Sequence, residues 1–158
     1  MGLKSTLLVV LVLLCALPVF SQNSPVPVAG WDVTFTLENG LSRRLTFISM
    51  SNGTGTFRII GPRSTTQVNT IVPAVWSRPV PGLMSFSGEV QLPIGNCCRE
   101  TGTLMFKGTQ STAGGTITGR AIFASDLSPT TTPTGNGVQF GTFVAAPLPI
   151  VALRQQRR

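Results

Sequence analysis

The feature that most constrains this chain is the run Trp31-Asp32-Val33-Thr34-Phe35-Thr36-Leu37, where apolar and polar residues alternate without a break. A period of two puts successive side chains on opposite faces of an extended strand, one face suited to a core and the other to water. The same alternation returns further on. Met84, Phe86, Gly88, Val90 and Leu92 share a parity against Ser85, Ser87, Glu89 and Gln91, and Ile117, Gly119, Ala121 and Phe123 share one against Thr116, Thr118 and Arg120. No stretch carries the repeat of an amphipathic helix, and 17 Gly and 12 Pro punctuate the chain. Turn signals divide it into about eight strands, 30–38, 42–50, 55–60, 68–78, 83–92, 102–108, 115–124 and 138–145.

The first two hairpins allow the register to be derived. Each contains Asn-Gly, at Asn39-Gly40 and Asn52-Gly53. A two-residue loop at the first would set Phe35 against Arg44 and Val33 against Thr46. Directly opposed residues share a face, so that register mixes core with water. A three-residue loop, Glu38-Asn39-Gly40, opposes Val33 to Leu45 and Trp31 to Phe47 instead, and puts glycine at the left-handed position of a bulged turn. The second hairpin follows the same rule. With Ser51-Asn52-Gly53 as loop, Phe47 meets Phe57 and Leu45 meets Ile59. Asn52-Gly53-Thr54 is also a formal glycosylation sequon, beside its turn role.

Sequential hairpins and no helix predict an all-β fold, an antiparallel up-and-down barrel of about eight strands, with a β-sandwich as the alternative. Adjacent pairing of the first three strands favours the barrel. Pro73, inside the fourth strand, removes a ladder donor and marks a bulge or an edge, which keeps the sandwich open. The expected division is a signal peptide at 1–21, a linker at 22–29, the β-domain at 30–146 and a loosely ordered basic tail at 147–158, with a long Pro/Thr-rich loop from Leu127 to Gly137.

The signal peptide rests on Lys4, the apolar run Leu7 to Leu17 and the helix-breaking Pro18, with cleavage expected after Ser21. The run is shorter than the roughly 20 residues a membrane-spanning helix needs. The protein is therefore expected to be secreted or periplasmic. Only 11% of residues are charged, and 42% hydrophobic content argues against disorder. The net charge is +7. The basic residues are scattered except at Arg43-Arg44 and the tail, which suits a solvated surface or attraction to an anionic envelope surface. Nucleic acid is not expected, because the aromatics alternate inward rather than lining a basic groove.

The chain has no His and no Tyr, so the commonest general base and metal ligand are missing. It lacks a G-x-S-x-G elbow, and Lys107 is the single lysine after the signal. Glu89 and Glu100 are a nominal acid/base pair, but Glu89 falls on a polar face. No catalytic residue, metal or cofactor is therefore expected. Cys97-Cys98 are the only cysteines after the signal. Adjacent Cα atoms lie about 3.8 Å apart, closer than the roughly 4.4–6.8 Å usual for a disulfide. A strained vicinal ring, a disulfide with another chain (a disulfide-linked dimer) and free thiols are the three states; in an oxidising compartment one of the two oxidised forms is expected, and two sulfurs without histidine make a poor zinc site.

Trp31, Phe35, Phe47, Phe57, Trp76, Phe86, Phe106, Phe123 and Phe140 all fall on expected inward or apolar faces. An eight-stranded barrel is just wide enough to be filled by side chains or to hold one small ligand. Trp31, Phe35, Phe47, Phe57, Trp76 and Phe86 are the candidate ligand-binding residues. By parity no acidic side chain points inward, so such a ligand is expected to be apolar or neutral. With an export signal and Gly30-Trp31 opening the first strand of an eight-stranded meander, the chain resembles the lipocalin-type (calycin) barrels over roughly residues 29–145. That resemblance implies transport or sequestration of a small hydrophobic molecule. The alternative is a structural, adhesion or protein-interaction module with a solid core.

Overall fold

The computed structural model describes residues 24–60, 67–94, 98–113, 115–127 and 137–149. The expected signal peptide, most of the loop after Leu127 and the end of the basic tail lie outside them. Eight strands follow in order: β1 (Pro27–Leu37), β2 (Ser42–Met50), β3 (Thr54–Ile60), β4 (Gln67–Val80), β5 (Leu83–Ile94), β6 (Cys98–Gln110), β7 (Ile117–Ser125) and β8 (Val138–Pro147). Each pairs antiparallel with the next, and β8 returns to β1, so the sheet is a closed up-and-down barrel rather than a sandwich.

The hairpin arithmetic holds residue by residue. Val33 opposes Leu45, Trp31 opposes Phe47, Phe47 opposes Phe57 and Leu45 opposes Ile59. Gly40 and Gly53 both have φ of 82°, the left-handed conformation that disfavours any side chain with a Cβ. In each loop the asparagine carboxamide oxygen accepts a backbone N–H two residues on, from Leu41 to Asn39 at 2.9 Å and from Thr54 to Asn52 at 3.1 Å.

Pro73 is not a bulge: it pairs in register with Thr56 on β3, but it has no partner on β5, so it lies where β4 presents a local open side within an otherwise closed barrel. The β4–β5 ladder begins one residue later, at Ala74 opposite Gly88, and its irregularity falls between Ser77 and Val80, around Pro79. Several strands also run longer than their alternation suggested. β1 starts at Pro27, inside the expected linker, and β6 reaches back to Cys98 because β5 and β6 stay paired as far as Ile94 opposite Cys98.

Aromatic rings pack against one another across the barrel interior. Trp31 stacks on Phe47 at 5.6 Å between ring centroids, Phe47 on Phe86 at 4.5 Å, and Phe86 on Phe106 at 4.8 Å. Phe57 meets Phe47, Phe86 and Phe106 edge-on, and Phe143 closes the other side edge-on against Phe86 and Phe106. These offset and T-shaped geometries are the ones the ring quadrupole favours. Large residues sit against glycines on nearby strands. A Cβ added at Gly88 would fall 3.0 Å from the Phe57 ring, and one at Gly102 would fall 2.9 Å from the Phe123 ring. That pairing of bulk with glycine is how a narrow barrel accommodates so many rings.

Candidate functional site

Of the six residues expected to line a ligand pocket, Trp31, Phe35, Phe47, Phe57 and Phe86 are buried in the aromatic column, and β1, β2, β3 and β5 bring them together. Each makes at least one ring–ring contact within 6.2 Å with another core aromatic. Trp76 is placed differently. It is half-buried against the column, and its indole Nε1–H donates to the Met50 carbonyl at 2.9 Å, tying β4 to the turn after β2.

Two inward assignments need correction. Phe140 faces outward and is 45% exposed, while Phe143 and Ala145 face the core. β8 has apolar residues on both parities. Its pairing of Phe143 with Phe35 on β1 and with Gly119 on β7 selects the Gly141/Phe143/Ala145 face as the inner one. The second correction concerns acids. Glu100 lies directly opposite Leu92 on the inner face, only 2% exposed, with Oε1 lacking any hydrogen-bond partner. Parity missed it because β6 was expected to begin at residue 102. Arg43 also lies on the inner face, opposite Phe35, where burial lowers the pKa of its guanidinium from the usual value.

Cys97 lies outside the described residues. Cys98 opens β6 opposite Ile94.

The outer face carries a feature that alternation did not reveal. Across β4 to β8 the paired residues Val75, Ser87, Met105, Ile122 and Phe140 form one row, four of the five apolar. Val75 is 58% exposed and Met105 is exposed too. Two residues along the strands, about 7 Å away, runs a polar row: Ser77, Ser85, Lys107, Arg120 and Thr142. Ser77 and Ser85 share a hydroxyl hydrogen bond at 2.8 Å. On β5 the outward residues here are the small Ser85 and Ser87, Ser87 set between Val75 on β4 and Met105 on β6 and Ser85 beside Lys107. The wall is recessed along them into a groove of about 460 Å³, whose lining includes Val75, Met105, Lys107, Arg120 and Ile122. A smaller recess of about 250 Å³ lies on the far side of Arg120, against Phe140 and Glu38.

No protein-family model, curated protein or solved structure matches the chain. The lipocalin resemblance therefore rests on architecture alone, the closed eight-stranded antiparallel barrel.

The electrostatics of the outer face single out one spot. Lys107 and Arg120 are directly opposed on β6 and β7. Like charges in that relation repel. Elsewhere the surface manages its charge differently: the Arg44 guanidinium is bonded to the Asp32 carboxylate, which raises the arginine pKa above its usual value through that hydrogen bond and the opposite charge. The Lys107–Arg120 pair was within reach of the sequence. Opposing Phe106 to Ala121 across the hairpin puts the two cations side by side.

Proposed function

We propose that this protein is an exported, non-enzymatic β-barrel that works by binding through its outer wall, with a solid aromatic core as scaffold. The observation that carries the reading is the continuous ring column from Trp31 to Phe106, with centroid spacings of 4.5–5.6 Å. Rings at those separations are in van der Waals contact, which supports a filled interior over a hollow one. The second support is the apolar row on the outside. Exposed apolar residues that line up beside charged ones mark interaction surfaces, whereas scattered ones need no explanation. Export is supported by Lys4, the apolar run to Leu17 and Pro18. The excess of positive charge suits an anionic partner.

The test is a methyl-resolved NMR titration of the folded protein with Nile red, a neutral hydrophobic dye. Saturable shifts at Val75, Met105 and Ile122 are expected. Saturable shifts confined to Val33, Leu45 and Met84, all inside the barrel, would overturn the reading in favour of carriage of a small apolar ligand in the interior.

A further inference from the structure

The geometry points to the outer groove over β5 and β6 as a binding site for a single-chain anionic amphiphile, a molecule with one carboxylate or phosphate head and one alkyl tail. This rests on the proposal that the outer wall is the working surface, and it names the class of ligand.

Three observations converge. The first is the cation pair. Lys107 and Arg120 stand directly across from each other in the β6–β7 ladder. Among the described residues neither has an ion pair or a hydrogen bond. No other pair of like charges is directly opposed in the described ladders. Two cations held side by side by the register repel until an anion lies between them, and arginine's planar fork suits a carboxylate or phosphate. The only acidic side chain lining either recess is Glu38, which shares the smaller one with Arg120 without forming an ion pair.

The second is the apolar row beside the cations. Val75, Met105 and Ile122 line the same groove as Lys107 and Arg120. A molecule whose head meets the cations therefore has an apolar surface within one side-chain length for its tail. Arg120 stands between this groove and the recess under Phe140, so the head can be held from either side.

The third is size. About 460 Å³ falls within the range of small-molecule sites, roughly 300–1,000 Å³, which are mostly apolar with a few placed polar groups. A bilayer surface is flat and cannot enter a recess set below Val75 and Met105 by the small Ser85 and Ser87. A stable protein partner would need contact far beyond this groove, about 800 Å² on each side. A second copy of the chain brings the same excess of positive charge and is repelled.

The test is an isothermal titration of the folded protein with sodium decanoate below its micelle-forming concentration, paralleled by methyl NMR. Decanol and decyltrimethylammonium serve as neutral and cationic controls. Decanoate is expected to bind saturably and shift Met105 and Ile122, decanol to bind at least about tenfold more weakly, and the cation not to bind. The double variant Lys107→Gln/Arg120→Gln should bring decanoate down to the level of decanol, and Arg120→Lys should retain part of the difference. Both side chains are exposed, so melting curves should stay unchanged and confirm the fold. Equal binding of decanoate and decanol, unaltered by the double variant, would overturn the anion site while leaving the outer-wall reading intact. If no probe shifts an outward methyl, both fall. Binding to phosphatidylglycerol vesicles or to a ten-residue glutamate peptide with no response to decanoate would also overturn the proposal, in favour of a bilayer or an acidic protein.

Discussion

Replacing Phe47 by alanine separates a solid barrel from a hollow one. The ring is fully buried and has three aromatic neighbours, Trp31 at 5.6 Å, Phe86 at 4.5 Å and nearly parallel, and Phe57 at 5.6 Å edge-on. Each neighbour is anchored on a different strand of a closed sheet, so none can move into the vacated space without dragging its strand. The cost should therefore sit in the middle or upper part of the usual Phe→Ala range, about 4 kcal/mol. Against a total stability of about 5–15 kcal/mol, that is a large fraction. For a domain of this size it corresponds to a fall in Tm of roughly 15 °C. The assay is urea unfolding followed by tryptophan fluorescence, which reads Trp31 on the same ring stack. The midpoint should drop while the m-value is unchanged. The complementary variant is Ala121→Leu, at an inner position opposite Phe106 with no exposed surface. In a filled core the added bulk should cost about 1–3 kcal/mol. If Phe47→Ala costs under about 1 kcal/mol and Ala121→Leu is neutral, the rings border empty space and the solid-core argument is wrong.

Other outcomes are expected from single positions. Gly40→Ala and Gly53→Ala, each at a φ of 82°, should lose about 1–2 kcal/mol apiece in chemical denaturation, and asparagine at either site should lose less. Glu100→Met should raise the unfolding midpoint by the equivalent of about 1 kcal/mol or more, because it removes a buried carboxylate oxygen with no partner. Arg44→Ala, which breaks the pair with Asp32 on a surface where the arginine side chain is 52% exposed, should cost well under about 1 kcal/mol, and the difference should shrink further in high salt.

The strand pattern and the hairpin registers were legible because they depend on neighbours in sequence, whereas closure rests on the remote β1–β8 pairing and was expected only by way of the meander. Asn39-Gly40 and Asn52-Gly53 set the loop lengths, and the apolar partners Trp31, Phe47 and Phe57 admit only one register. Legibility failed where the deciding contact is remote. Phe140 and Phe143 are both phenylalanines on one strand, and only the distant partners Phe35 and Gly119 determine which of them is buried. Glu100 looked like a loop residue because the alternation fades before it, yet pairing with β5 continues past it. The outer groove depends on a comparison across three strands, with serines on β5 lying lower than Val75 on β4 and Met105 on β6. Within each strand those residues look like ordinary solvated positions.

Closure between β1 and β8 has a consequence for how the molecule comes into being. Trp31 pairs with Pro147, and Leu148 donates its N–H to the Gly30 carbonyl, so the two ends of the fold meet on one rim. The first strand must hold an unpaired side until the last arrives, a contact of very long sequence separation that makes folding slow compared with a helical chain of equal length. Because the ends already touch, the order in which the strands follow one another is not built into the architecture. A circular permutant joined across that rim and opened at the Pro81-Gly82 turn would keep six of the eight strand pairings linked as they are, make β8–β1 a local hairpin and move the remote closure to β4–β5.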